Sequence, residues 1–150
     1  MPTHLLNIPH SFQEHEAGCL AACAQMALRH LGQEQTQSTL NHLLGLTSIG
    51  TPYSTIRRME TLGVNVALRT RTSNELQAAI DAGLPVIVFV MTGDLPYWHD
   101  NTSHAVLVVG YDDASIMLND PAFEQAPQPV AWADFMLAWS EHDFMCAIVS

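Results

Sequence analysis

A cysteine that opens a helix can become a nucleophile, and Cys19 stands where an apolar, Ala-rich helical pattern begins. Unsatisfied N–H groups and a partial positive charge at a helix N-terminus favour thiolate over thiol. Six positions upstream, the segment Gln13-Glu14-His15-Glu16-Ala17-Gly18 can return a side-chain amide to the same point. Gln13 and the backbone N–H of Cys19 would then be two donors aimed at a developing oxyanion. Far along the chain, His104 opens a strand-like run and Asp120 closes the next. A base with one ring nitrogen near sulfur and the other on a carboxylate completes the chemistry of acyl transfer.

Each of these residues also has an ordinary reading. Most buried cysteines pack as small hydrophobes, and Cys23, one turn further in, and Cys146, in a terminal strand, fit that description. Cys19 is set apart by its place in the first turn after a glycine and a polar loop. His99 competes with His104, and Asp94, Asp100, Asp112 and Asp113 compete with Asp120. A short turn between antiparallel strands brings the start of one beside the end of the next, which favours His104 with Asp120. Tyr97 and Trp98, just before His104, read equally as the lining of a substrate groove or as anchors of their own loop.

The elements that must position this set follow from periodicity. Leu20, Cys23, Ala24, Ala27, Leu28 and Leu31 recur at three and four, so a buried helix runs from Cys19 to a stop at Gly32. Ser38 precedes a short helix, Leu40 to Leu44, closed by Gly45, and Thr51-Pro52 caps another with Ile56, Met59 and Leu62 on one face and Gly63 at its end. The period then changes to two over Val64 to Arg69. Thr72 and Glu75 form a capping box for a helix through Ala82, and Pro85 to Met91 is a strand apolar on both faces. The loop from Thr92 to Ser103 leads to the strand His104 to Tyr111, a turn at Asp112-Asp113-Ala114, and an antiparallel return over Ser115 to Asn119. A helix over Trp132 to Trp139 and a strand over Phe144 to Val149 finish the chain. Helices gathered first and strands later predict an α+β fold, and no linker or repeat divides residues 1–150, so one domain is expected.

Composition removes several other classes. The formal charge is −10, with arginine at 29, 57, 58, 69 and 71 and no lysine, which argues against nucleic acid as a partner. Three cysteines without a secretory signal at Met1 to Leu6 argue against a disulfide framework, and the scattered histidines lack metal-ligand spacing. The longest apolar run, Leu84 to Met91, suits a buried strand and falls well short of the roughly 20 residues that a membrane span needs. A cytoplasmic location is the expectation.

Taken in order, Gln13, Cys19 with Cys23, His104-Ala-Val-Leu-Val-Val-Gly-Tyr-Asp and Asn119-Asp120-Pro121-Ala122 resemble the double-glycine (bacteriocin-leader) cysteine peptidase family of the papain-like superfamily. Gly50-Thr51-Pro52, Gly83 to Ile87 and Trp132-x-x-Phe135-x-x-x-Trp139 extend the resemblance nearly end to end. It implies a papain-like fold, with N-terminal helices against a C-terminal antiparallel sheet and the site in the cleft between. Cys19 would be nucleophile, His104 base and acid, Asp120 the orienting residue and Gln13 the oxyanion side chain, with no cofactor. The substrate would be a peptide or protein, and a separate export or biosynthetic partner fits the family's role. Gly18-Cys19-Leu20 departs from the family's usual Asp-Cys-Gly. A catalytically silent peptide-binding domain, or an acyltransferase or amidase using the same residues, are the alternatives the resemblance leaves open.

Overall fold

The structure, a computed structural model, describes residues 4–150. The first three residues of the Met1 to Leu6 segment lie outside the described residues. The order is β1 (His4–Leu5), α1 (Cys19–His30), α2 (Gln37–Leu44), a 3₁₀ segment (Tyr53–Leu62), β2 (Val66–Thr70), α3 (Ser73–Asp81), β3 (Val86–Met91), β4 (Ser103–Tyr111), β5 (Ser115–Asn119), β6 (Gln128–Ala131), α4 (Trp132–Ser140) and β7 (Met145–Val149). The strands form one sheet in the order β2-β7-β3-β4-β5-β6, all pairs antiparallel, and β1 adds to the far end of β4. This is the α+β arrangement that periodicity predicts.

Alternation along the central strands sorts the core into two layers. Ile87 and Phe89 of β3, with Ala105, Leu107 and Val109 of β4, face α1, α2 and the 3₁₀ segment. Val86, Val88 and Val90, with Val106 and Val108, face α3 and α4. Both faces of β3 and β4 are covered, which is why these strands read as unbroken apolar runs. Helix α1 is the spine of the first layer: Leu20, Met26 and Leu28 are fully or almost fully buried, each contributing roughly 1.5–3 kcal/mol of apolar transfer. That burial pins the helix, and with it the position of Cys19 at its first turn.

Local signals set most boundaries. The Thr72 side chain accepts the Glu75 N–H while the Glu75 carboxylate takes the Thr72 N–H, the reciprocal capping box expected from the sequence. Asp112 Oδ1 accepts the N–H groups of Ala114 and Ser115 and so closes the β4–β5 turn. Three expectations change. The cap of α2 is Thr36, which accepts the Thr39 N–H, rather than a residue at Ser38. Tyr53–Leu62 is 3₁₀ and not α-helical, with Pro52 as its cap. Strands β1 and β6 were not expected; Pro129 removes a donor inside β6, which is tolerated because β6 is the sheet edge.

Candidate active site

Cys19 is the first residue of α1, and Gly18 caps the helix with no side-chain bond to offer. The N–H of Cys19 therefore has no intrahelical partner. The cap position is tight. A Cβ on Gly18 would stand 3.1 Å from the His15 carbonyl oxygen and 3.4 Å from Asn41 Oδ1, so the preceding loop closes over the helix start. His15 organises that loop, its carbonyl accepting the Gly18 N–H at 2.9 Å and its Nδ1 the Ala17 N–H at 3.0 Å.

The β4–β5 hairpin supplies the other two groups. Leu107 pairs with Asn119, and one further step along that register sets Asp120 beside Val106, on the same row of side chains as His104. His104 Nε2 and Asp120 Oδ1 are 2.7 Å apart, and both side chains are buried. A carboxylate oxygen can only accept, so Nε2 carries the proton and Nδ1 remains as the nitrogen for sulfur. Asp112, a competitor in the sequence, sits at the opposite end of the hairpin, where it serves the turn.

Electrostatics couple the three groups. Burial alone would push the Cys19 thiol up, but the hydrogen bond and charge of His104, helped by the Ala105 N–H, hold it below its usual value. Burial would likewise lower His104, yet its bonds to Asp120 and Cys19 raise it to about 9. Asp120 is held below the usual carboxylate range against its burial, first by its bond to His104 and then by that residue's charge. The arrangement favours thiolate and imidazolium together. Cys23, buried in the apolar layer beneath, has its thiol pushed well up, which suits a packing role. Cys146 also packs, its sulfur 3.3 Å from Arg71 Nη1, with burial the larger influence on its raised thiol.

Gln13 stands on the wall of the same cavity as Cys19 and His104, tethered by its backbone N–H to the Pro121 carbonyl at 2.8 Å. Its Nε2 donates to the carbonyls of Glu16 at 2.8 Å and His15 at 3.2 Å, while Oε1 is buried without a partner. Reversing the amide would place Oε1 against two carbonyl oxygens, so the acceptors fix the orientation. The cavity encloses about 500 Å³, and Leu20, Tyr53, Phe89 and Trp98 also line it. Leu20, which follows the cysteine, is buried with the apolar layer while still reaching the cavity wall.

Two residues that the sequence placed only in a groove or a loop reach the carboxylate. Tyr97 donates its hydroxyl to Asp120 Oδ2 at 2.7 Å and Trp98 its indole N–H to the same oxygen at 2.8 Å. Nothing in their spacing signals this, because the partner lies more than twenty positions on. Among the described residues no cluster of three or more His, Cys, Asp and Glu could hold a metal, and no helix is long and apolar enough to cross a membrane.

The fold and site together set a helix-borne cysteine opposite a sheet-borne histidine in an α+β domain. A profile of the Peptidase_C39 like family matches residues 5–146, and the chain belongs to that family. No curated protein sequence matches it. Among solved structures, it is similar to one described as a candidate C39-like peptidase from Bacillus anthracis, at 18% identity over 98% of this chain and 96% of the other, with a TM-score of 0.82. The peptidase domain of Streptococcus ComA, a bifunctional ABC transporter of a quorum-sensing pathway, matches at 16% identity over 96% and 98%, TM-score 0.79. A double-glycine motif protease from an AMS/PCAT transporter, solved with its leader peptide, matches at 15% identity over 98% and 94%, TM-score 0.77. These likenesses establish the fold.

Proposed function

We propose that the chain is a cysteine peptidase that cleaves a peptide or amide bond through a thioester. The observation that carries this reading is His104, which bonds Asp120 at 2.7 Å and lines the same cavity as Cys19. Cys19 thiolate attacks the carbonyl carbon, and the oxyanion is received by the Cys19 N–H and Gln13. His104 then gives its Nδ1 proton to the departing amine as the C–N bond breaks. Water attacks the thioester, loses a proton to His104, and releases the acid while the sulfur leaves as thiolate. For Gln13 to take part, the longer of its two bonds, to His15, must be exchanged for the oxyanion.

The test pairs thiol labelling with turnover. Brief treatment at pH 6 with a substoichiometric electrophile should label Cys19 and spare Cys23 and Cys146, and a peptide library containing small-residue sites should yield wild-type cleavage. Equal labelling of all three thiols, or none, would remove the activated pair and leave a peptide-binding domain.

Gln13→Ala is expected to lower kcat by roughly 100-fold while the melting temperature changes little, since one oxyanion donor is typically worth that much. Turnover at the wild-type rate would take Gln13 out of the site. The pH profile follows from the two shifts. Activity should rise as the Cys19 thiol ionises, below the usual thiol range, and fall as His104 loses its proton near pH 9. A rate that climbs steadily through pH 9 would mean that an unpaired thiolate does the work.

A further inference from the structure

Asp120 is fully buried, and four donors fill its two oxygens. Oδ1 takes His104 Nε2 at 2.7 Å and the Ala122 N–H at 3.0 Å; Oδ2 takes Tyr97 Oη at 2.7 Å and Trp98 Nε1 at 2.8 Å. The Oδ2 pair comes from consecutive residues of the β3–β4 connection, and that connection is stapled independently. Thr92 Oγ1 donates to the Asp100 carbonyl at 2.6 Å and accepts the Thr102 N–H at 2.9 Å, while Asn101 Oδ1 accepts the Gly93 N–H at 2.9 Å. Phe123 packs edge-on against both rings, at 5.1 Å from Tyr97 and 5.2 Å from Trp98. The rings are therefore held by packing as well as by their bonds to the carboxylate. Trp98 also lies edge-on to the His104 ring at 4.9 Å.

We propose that Tyr97 and Trp98 are positioning residues that act through Asp120: by donating to Oδ2 they draw off part of the carboxylate's charge, leaving the imidazolium able to release its proton. The proposal rests on the peptidase reading for its catalytic consequence. Its physical basis is the direction of the two dipoles. Each puts its positive end on Oδ2, stabilising the anion and weakening its hold on a proton nearby. A buried carboxylate without them would grip the imidazolium more firmly, and a general acid works best when its affinity for the proton lies near the operating pH. Tyr97 itself stays protonated, because burial and the Asp120 charge push its hydroxyl further up.

Few other groups bear on His104. Among the described residues Cys19 is the other titratable group that acts on it, while Cys23 feels the charges of Cys19 and Asp120, Glu16 stands on the cavity wall, His10 bonds the Phe123 carbonyl at 2.7 Å and His142 bonds the neighbouring Ser103 at 3.0 Å. None of them touches Oδ2, so removing one donor there isolates its effect.

The experiment is a proton NMR titration of the His104 ring in the free protein, comparing wild type with Tyr97→Phe, which keeps the ring and its packing. We expect the His104 midpoint to move up by about half a pH unit or more, with the alkaline limb of kcat following it and kcat at pH 7 falling several-fold at unchanged KM. On an Asp120→Asn background the same substitution should leave the midpoint where it is. If Tyr97→Phe does not fold, Trp98→Phe removes the other Oδ2 donor and carries the same expectation. A midpoint that stays put, or drops towards that of an ordinary histidine, overturns the proposal, since a merely structural prop would loosen the His104–Asp120 bond. Absence of peptide cleavage by the wild type would sink the peptidase reading separately, because the titration needs no substrate.

Discussion

Alanine in place of Cys19 is expected to remove turnover of any peptide that the wild type cleaves, by about 10⁴-fold or more, because residues of a catalytic set act as a unit and the nucleophile has no substitute. Neither of the other thiols can take over. Cys23 and Cys146 are fully buried, and burial raises both thiols. The substitution should leave the fold standing, since α1 is anchored by Leu20, Met26 and Leu28 and not by the sulfur. Timed cleavage followed by mass spectrometry of the products checks this, alongside a thermal melt. Residual cleavage within tenfold of wild type would assign the chemistry elsewhere. Retained peptide affinity with no cleavage would agree with the proposed role, since the substitution leaves the rest of the cavity wall in place.

Asp120→Ala should have the second largest effect, and it should appear in stability as well as rate. Four donors lose their acceptor at once: the His104 ring, the Tyr97 hydroxyl, the Trp98 indole and the Ala122 N–H. Breaking a buried, hydrogen-bonded charge pair from one side typically costs about 3–5 kcal/mol. Its pH dependence has a definite sign. Asp120 is held low in the folded chain, so its contribution exists above the ordinary carboxylate range and is lost as pH falls through its folded value. His104 is raised to about 9, so its contribution is complete below the ordinary histidine value and disappears as pH rises through 9. The gap between wild type and variant should thus be widest in mildly acidic solution and narrow towards both extremes, as denaturant melts across pH would record. A constant gap would mean that a cavity, and not an ion pair, accounts for the loss.

How much of this could be read from residue order depended on whether the signal was local. The α1 start, the Thr72–Glu75 box and the Asp112 turn are set by neighbours within four residues, and all are found as expected. The pairing of His104 with Asp120 also followed from local geometry, because one short turn fixes the hairpin register. Strand β6 escaped because Pro129 lowers its strand propensity and its partner sits across a loop. The 3₁₀ geometry of Tyr53–Leu62 escaped because its apolar residues, Ile56, Met59 and Leu62, recur at three, a spacing that both helix types accommodate. Gln13 was expected near the cysteine, and it is there, but the carbonyls that its amide serves are set by the path of the loop. Tyr97 and Trp98 were legible as aromatic anchors and as groove lining, and not as donors to one carboxylate oxygen, because that contact exists only once the sheet has assembled.

Cys19 belongs to the helical layer and His104 to the sheet, and the influences of His104 and the Ala105 N–H that lower the Cys19 thiol exist only when one is docked on the other. Where the layers are apart Cys19 has no imidazole beside it and has only the reactivity of an ordinary thiol. The chain synthesises its cysteine long before its histidine, so completion of the fold also acts as a safety catch. On the proposed reading the sulfur is activated when β4 docks on α1, and any excursion that separates the layers disarms it again.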